Sequence, residues 1–308
     1  SKEQGKLKEA EKYLFKAITL QKKHFGESDL KLVDMYNDLG FIYKDKQEYR
    51  KAEENYLKAV SISEQIEGPN NPRLAILFSN LGYLYYEEMD HKKSSNYYRK
   101  SIIIEENYHG TNYPNLSNSY IDYAGALQMS SRFDEAYEFL QKALVLNKKL
   151  FGDQSDEVAL LYGKIGGHYL LTGKFKESLK YHIYRKNLVK NILGENNNSY
   201  IETLIDIGTM YTKLGDYKNS HSALSEAYNI SVKLLGENKI NPMLFALISN
   251  NYLNESKFDK AIEYIDKNID LMRILNSKDT MSFFIAYNNK GLIYLQMSLH
   301  DKSLESFR

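Results

Sequence analysis

The 308-residue chain has no cysteine. That removes disulfides, thiolate metal sites and cysteine nucleophiles, and it leaves the redox compartment unread. It has no excess of charge of either sign: 41 Lys and Arg face 40 Asp and Glu. The formal +1 gives no overall field to draw a phosphate backbone, so no nucleic-acid partner is expected. It has no apolar run near the roughly 18 residues that span a bilayer. Its longest candidates, such as Ile102 to Ile104, stop at Glu105 and Glu106. The start, Ser1 to Lys6, is polar and carries no signal peptide that can be read. A cytoplasmic protein without a membrane partner is therefore expected. The seven histidines never fall three to five residues apart, so neither H-E-x-x-H nor a zinc-finger pattern can be built and no metal is expected. Gly163-Lys164-Ile165-Gly166-Gly167 lacks the order of a phosphate-binding loop, and no G-x-S-x-G elbow occurs. The chain is expected to be no enzyme and to need no cofactor.

What is present is periodic. Glycine recurs at Gly26, Gly68, Gly110, Gly152, Gly194 and Gly236, each 42 residues after the last. A second ladder of small residues runs through Gly40, Gly82, Ala124, Gly166, Gly208, Ser249 and Gly291. Its one 41-residue step, after Gly208, is explained by a single deletion near Asn241. Four residues before this ladder stands an aromatic or large apolar residue (Tyr36, Phe78, Tyr120, Tyr162, Leu204, Phe245, Tyr287). Three after it stands another (Tyr43, Tyr85, Leu127, Tyr169, Tyr211, Tyr252, Tyr294). Spacings of three and four mark one helical face, and the small residue between lets a second helix come close. This segment is helix A.

Further along each period come a small residue, a bulky one four later and usually a small one three after that. Examples are Ala52, Tyr56, Ala59; Ser94, Tyr98, Ser101; Ala136, Leu140, Ala143; and Ser220, Leu224, Ala227. This face belongs to a helix B that runs on until the first glycine ladder stops it, since Gly tolerates the left-handed conformation of a helix end. Pro72 and Pro114, 42 apart, mark the loop into the next helix A. In the fourth repeat Arg185 replaces the second small residue, and Lys290 replaces the usual Leu before Gly291, so those repeats are expected to be irregular or to meet a partner. His91 and His300 fill a slot that is aromatic elsewhere and read as packing substitutes. Most of the 27 tyrosines fall in core slots, which removes the appearance of a base-stacking platform. Glu53-Glu54 and Glu105-Glu106 read as solvated, Lys-rich helix surface.

Leu39-Gly40-x-x-Tyr43 followed by Ala52-x-x-x-Tyr56 resembles the tetratricopeptide repeat, whose signature pairs L-G-x-x-Y with A-x-x-x-F. The resemblance covers nearly the whole chain. The usual period is about 34 residues. The extra residues sit late in helix B and in loops such as Gly194-Glu195-Asn196 and Gly236-Glu237-Asn238, and make the pattern similar to the kinesin-light-chain-like subclass. That subclass has bacterial relatives, some fused to CHAT peptidase domains. HEAT and armadillo repeats share a period of about 40 to 47 but not this grammar. The resemblance implies an all-α fold, a right-handed superhelical solenoid of stacked antiparallel helix pairs. Length alone suggests about two domains, a prior that a stacked short unit overrides. One solenoid over 1–308 is expected, with helix B of a partial repeat at 1–26 and six full repeats at 27–68, 69–110, 111–152, 153–194, 195–236 and 237–277. A truncated repeat occupies 278–308. Within 1–26, Ala10, Leu14 and Ala17 match helix B, and the last helix B stops at Arg308. With no polar capping unit at either end, a piece of a longer protein, or its ordered part, is expected.

The resemblance also implies a concave face lined mainly by helix A. The candidate site is then the residues three before, two before, one after and four after the repeat glycine. Two before, the series reads Asp38, Asn80, Asp122, Lys164, Asp206, Leu247, Asn289. In several relatives an asparagine here hydrogen-bonds the backbone of a bound peptide. Carboxylates only accept when ionised, so a ligand offering N–H groups or Lys and Arg side chains suits this row; the alternative is a solvated acidic row. One and four after the glycine, the first repeats give Phe41, Tyr83 and Tyr86. The middle repeats give Gly125 and Gly167, with Gly163 three before, and Asn250 follows Ser249. An aromatic entrance thus leads to a floor without side chains. Gly in a helix costs about 1 kcal/mol against Ala, which implies a close contact there, with a ligand or with a neighbouring helix. Three before the glycine stand Asn37, Ser79, Ile121, Gly163 and Ile205. No basic clamp for a C-terminal carboxylate lines up, so the acidic tail of a chaperone is not an expected partner.

The expected function is a non-catalytic scaffold that binds a peptide or protein segment in this groove, a basic one suiting its carboxylates. The alternative is a regulatory or sensor region controlling an attached effector, such as a CHAT caspase-like protease, a signalling kinase or a DNA-binding domain.

Overall fold

Fifteen α-helices and no strand form among the residues that the computed structural model describes, 2–275 and 279–307. Ser1, Arg308 and the expected repeat boundary between 277 and 278 lie outside the described residues. The chain divides into two compact units, 1–153 and 154–308. The first holds α1 (Lys2–Phe25), α2 (Leu30–Asp45), α3 (Tyr49–Glu67), α4 (Pro72–Glu87), α5 (His91–His109), α6 (Leu116–Met129) and α7 (Phe133–Phe151). The second holds α8 (Asp156–Leu171), α9 (Phe175–Leu193), α10 (Asn198–Lys213), α11 (Tyr217–Leu235), α12 (Met243–Asn254), α13 (Phe258–Ile274), α14 (Thr280–Gln296) and α15 (His300–Phe307).

The first glycine ladder ends helices. Gly26, Gly68, Gly110, Gly152, Gly194 and Gly236 take φ between 75° and 85°, a region glycine enters without a Cβ clash. Each N–H closes the last turn of helix B, as Gly68 does on Glu64 O at 3.0 Å. A polar side chain then starts the next helix A. Asn71 Oδ1 accepts from Leu74 N at 3.1 Å, with Pro72 in the first turn, and Asn197 Oδ1 accepts from Tyr200 N at 2.9 Å. The deletion read near Asn241 falls where α12 starts late, after a short 3-10 turn at Glu237–Lys239.

Helices A and B are joined by three residues, and the middle one is left-handed whatever its identity. It is Gln47 (φ 60°), Met89 (62°), Ser131 (59°), Ser256 (59°) or Ser298 (60°), or else Gly173 (72°) or Gly215 (77°). The next N–H reaches back into helix A, as Asp90 N does to Tyr85 O at 2.9 Å, so the turn satisfies an end carbonyl while reversing the chain. The product in each unit is a stack of antiparallel helix pairs, in which successive helices pack on one another.

The second glycine ladder lies in the seam of each pair. A methyl built on Gly40 would lie 2.5 Å from Tyr56 Cε1, and one on Gly82 would lie 2.9 Å from the Tyr98 ring. In the second unit the same position meets His182 Nε2 at 2.6 Å from Gly166, Leu224 at 2.7 Å from Gly208 and Phe307 at 2.4 Å from Gly291. Only a bare Cα admits these contacts. A second device appears there as well: Ser178, Ser220 and Ser303 donate to the carbonyls of Gly166, Gly208 and Gly291 at 2.8, 2.7 and 2.9 Å. Ser249 makes the converse bond, to Ala261 O at 2.7 Å. Among the described residues no helix is long and apolar enough to cross a membrane.

Candidate functional site

In the first unit the predicted residues lie on α2, α4 and α6. Asn37 and Asn80 come together, Asn80 Nδ2 donating to Asn37 Oδ1 at 2.7 Å, so the one asparagine of the row here is already bonded within the protein. Burial, and after it the charge of Asp34, holds the carboxyl of Asp38 above the usual carboxylate range. Asp34 itself is bound by Arg73 at 2.8 Å. Phe41, Tyr83 and Tyr86 are exposed. Phe41 and Tyr83 converge on Lys44, whose ammonium lies 4.5 Å from the first ring centroid and 4.8 Å from the second, and 3.3 Å from Asp45 Oδ1. The cation–π geometry is within the usual reach of about 6 Å. Lys44 is largely sheltered, with 13% of its side chain exposed. Interaction with Glu87 first, then burial and the charges of Glu87, Asp45 and Asp122, push the Tyr83 phenol pKa up. Tyr86 meets His91 edge-on at 6.0 Å, so His91 packs on an aromatic ring. Gly125 faces open space: a Cβ there would have no heavy-atom neighbour within 4 Å.

In the second unit the predicted residues behave differently. Gly167 also faces open space, but Gly163 is covered by Arg185, whose Cδ would lie 3.2 Å from an added Cβ. In the first, second, third and fifth full repeats a larger residue three before the small one (Asn37, Ser79, Ile121, Ile205) is matched 22 residues later by Ala59, Ser101, Ala143 or Ala227. In the fourth repeat the sizes are exchanged. The missing side chain of Gly163 leaves room for Arg185, whose guanidinium reaches Asp206 Oδ2 at 3.3 Å and Glu202 Oε2 at 3.4 Å. His182, buried beside Gly166, places Nδ1 3.4 Å from the same Asp206 oxygen without a hydrogen bond. Burial, then Arg185, pulls His182 down to about 4; burial, against the pull of Arg185, pushes Asp206 up to about 6. Asn250 is exposed and lines a groove of about 740 Å³ with Met243, Leu247, Met272 and Ile285, over α12, α13 and α14. Asn289 is half-buried, and its neighbour Lys290 pairs with Asp266 at 2.7 Å.

Sequence reasoning passed over Lys44, Asp45 and Glu87. Lys44 occupies the slot four after the glycine that Tyr86 fills in the next repeat, so its position was legible, but its placement between two rings on different helices was not. Arg185 stood out as a departure; its pairing with Gly163 could have been found by comparing residues 22 apart. Among the described residues no group of three or more His, Asp and Glu is placed to hold a metal ion.

The sequence matches the profile of the family described as Tetratricopeptide repeat over four overlapping segments, 31–104, 73–144, 115–183 and 157–231. Solved structures resemble the fold. BtubC (BKLC) from P. vanneervenii is 20% identical with a TM-score of 0.63, over 77% of this chain and 92% of that one. The repeats of a putative kinesin light chain from Podospora anserina are 14% identical with a TM-score of 0.61, over 67% and 98%. The apo form of the quorum sensor NprR from B. thuringiensis is 14% identical with a TM-score of 0.67, over 98% and 82%. No curated protein matches the chain in sequence. With matched repeats spanning 31–231, well over half of the chain, and kinesin-light-chain-like arrays among its structural neighbours, the chain belongs to the tetratricopeptide repeat family.

Proposed function

We propose that this chain is a non-catalytic, cytoplasmic interaction scaffold that holds a basic segment of another protein on the face formed by its A helices. One observation carries the reading. In the first unit Phe41, Tyr83 and Tyr86 are exposed side by side on a face whose charge comes mainly from Asp38, Asp45, Glu87 and Asp122. Large exposed aromatics grouped among carboxylates mark a binding surface better than scattered apolar residues do. The absence of a basic clamp argues against an acidic C-terminal tail as ligand. A second reading, a sensor region controlling an attached effector such as a CHAT caspase-like protease or a signalling kinase, draws on the likeness to a quorum sensor.

The test is selection of ligands from a random peptide display library on the purified chain, followed by affinity measurements on the double variant Tyr83→Leu, Tyr86→Leu. The reading expects an enriched sequence family with a basic position, bound at least tenfold more weakly by the variant. Ligands that bind wild type and variant alike would remove the face from consideration.

A further inference from the structure

The slot between Phe41 and Tyr83 is a cation site that the protein fills with its own Lys44. The ammonium touches both ring faces and Asp45, although it sits on a surface where a lysine could extend into water at little cost. The field explains why it stays. Helices α2, α4 and α6 carry Asp34, Asp38, Asp45, Glu87 and Asp122 against Lys31, Lys44 and Arg73, and Arg73 is tied to Asp34 and Glu67 at 2.8 and 3.2 Å. Buried tyrosines sense the same charge: burial chiefly, with Asp45, Glu87 and Asp38 adding, raises Tyr56, and burial with Asp122 leading the charges raises Tyr98. Asp45 and Glu87 thus border a slot walled by two exposed rings, with Lys6 of α1 as the other cation lining it.

Resting on the reading above, we propose that an arginine of the partner segment displaces Lys44 from this slot, and that Lys44 sets the affinity an incoming cation must exceed to enter it. A tethered competitor acts at a high effective concentration, so an incoming group must be held better than an ammonium. A partner lysine offers the same point charge and gains nothing over Lys44. A guanidinium is less strongly hydrated, stacks its plane on an aromatic face and presents a fork of donors. On this rim Asp45, 3.3 Å from the Lys44 ammonium, and Glu87, which lines the same pocket, are the carboxylates available to accept from that fork. Lys44, once displaced, has water and the neighbouring carboxylates to take its charge. The built-in rival weakens every incoming cation alike, so the preference comes from the guanidinium's better fit and the threshold from Lys44.

The experiment uses capped, fluorescein-labelled peptides alternating alanine with arginine, and matched peptides carrying lysine or leucine, titrated against the full chain by anisotropy. Wild type should bind the arginine peptide at least fivefold more tightly than the lysine peptide, and the leucine peptide not at all. Lys44→Met keeps the side-chain length and empties the slot of charge. It should tighten both basic peptides by a similar factor of at least fivefold, leaving the arginine-to-lysine ratio that the guanidinium supplies, and Tyr83→Leu combined with it should abolish the gain. Equal binding of arginine and lysine by wild type, or affinities unchanged by Lys44→Met, would overturn the proposal. So would a gain that survives Tyr83→Leu, because that reflects net charge alone. Loss of selectivity with retained dependence on Tyr83 and Tyr86 would sink this inference and leave the scaffold reading standing.

Discussion

Two helix pairs of the first unit close with a tyrosine ring and no serine bond to the glycine carbonyl, whereas three pairs of the second carry a hydroxyl clip. In the first, Tyr56 and Tyr98 lie over Gly40 and Gly82, and the small residues opposite are Ala52 and Ser94, the Ser94 hydroxyl being buried with no partner. In the second, the bulky slot holds His182, Leu224 and Phe307, and Ser178, Ser220 and Ser303 bond the glycine carbonyls. The clip does not depend on the size of the bulky residue, since Ser303 bonds the Gly291 carbonyl beside the Phe307 ring. The two solutions occupy one backbone geometry. Backbone approach is thus the property that the small residues guarantee, while the manner of filling is free to vary.

Substitutions can break that comparison. The largest effect should come from the glycines. Gly40→Ala drives a methyl into a rigid ring held by the core, and a loss of about 2–3 kcal/mol in stability is expected from overpacking. Gly208→Ala meets the tip of Leu224, which can rotate, and Ala is the better helix former by about 1 kcal/mol, so the net loss should stay below about 1 kcal/mol. Gly125→Ala, with open space around the new methyl, should stabilise by up to about 1 kcal/mol. Denaturant titration of the three variants checks this order, and equal losses at Gly40 and Gly208 would refute the distinction drawn between ring and branched side chain.

A smaller effect separates the serines. Ser220 also accepts from Asn251 Nδ2 at 2.6 Å, and Asn251 is fully buried. Ser220→Ala should cost about 1–3 kcal/mol, because it orphans a buried amide N–H, while the Gly208 carbonyl keeps the Thr212 hydroxyl as a donor. Ser94→Ala should be neutral or slightly stabilising. If both cost the same, the clips do not distinguish the units.

The smallest effect is one of pH and belongs to the second unit alone. His182 titrates near 4 in the folded protein against 6.5 unperturbed, so between these values the unfolded chain holds the extra proton and stability rises with pH. Asp206 titrates near 6 against 3.8, so there the folded protein holds the extra proton and stability falls as pH rises. The slopes oppose across roughly pH 4 to 6 and largely cancel, with Arg185 and Glu202 bearing on the pair. Asp206→Asn should leave a melting temperature that rises with pH in this window, relative to wild type, and His182→Leu one that falls. Melting curves at half-unit steps would settle the signs; matching slopes in both variants would show that the two groups do not act against each other.

The seam was legible in the sequence because its contacts lie within one period: Gly40 and Tyr56 are 16 residues apart, and the same spacing recurs. The ends of helix B were legible too, since the left-handed turn needs glycine for a local reason. The exchange at Gly163 and Arg185 was half visible, as two separate irregularities whose common cause is a contact across helices. Lys44 was not visible as a site residue. Its position between Phe41 and Tyr83 depends on how α2 and α4 stand beside each other and on which way a flexible side chain turns, and periodicity records neither. The groove beside Asn250 escaped for a similar reason, since it comes from α12 starting late.

The left-handed turns between helices A and B have a practical consequence. Their middle residues keep φ within a few degrees of 60° at Gln47, Met89, Ser131, Ser256 and Ser298, and all five are exposed. A conformation shared by glutamine, methionine and serine is imposed by the helix pair and indifferent to the side chain. In a chain without native cysteine, a thiol introduced at any of these positions would be the only attachment point for a spin label or dye. Labels at 47, 89 and 131 would form a ruler along the first unit, marked once per repeat, able to report whether its helix pairs slide when a segment is bound.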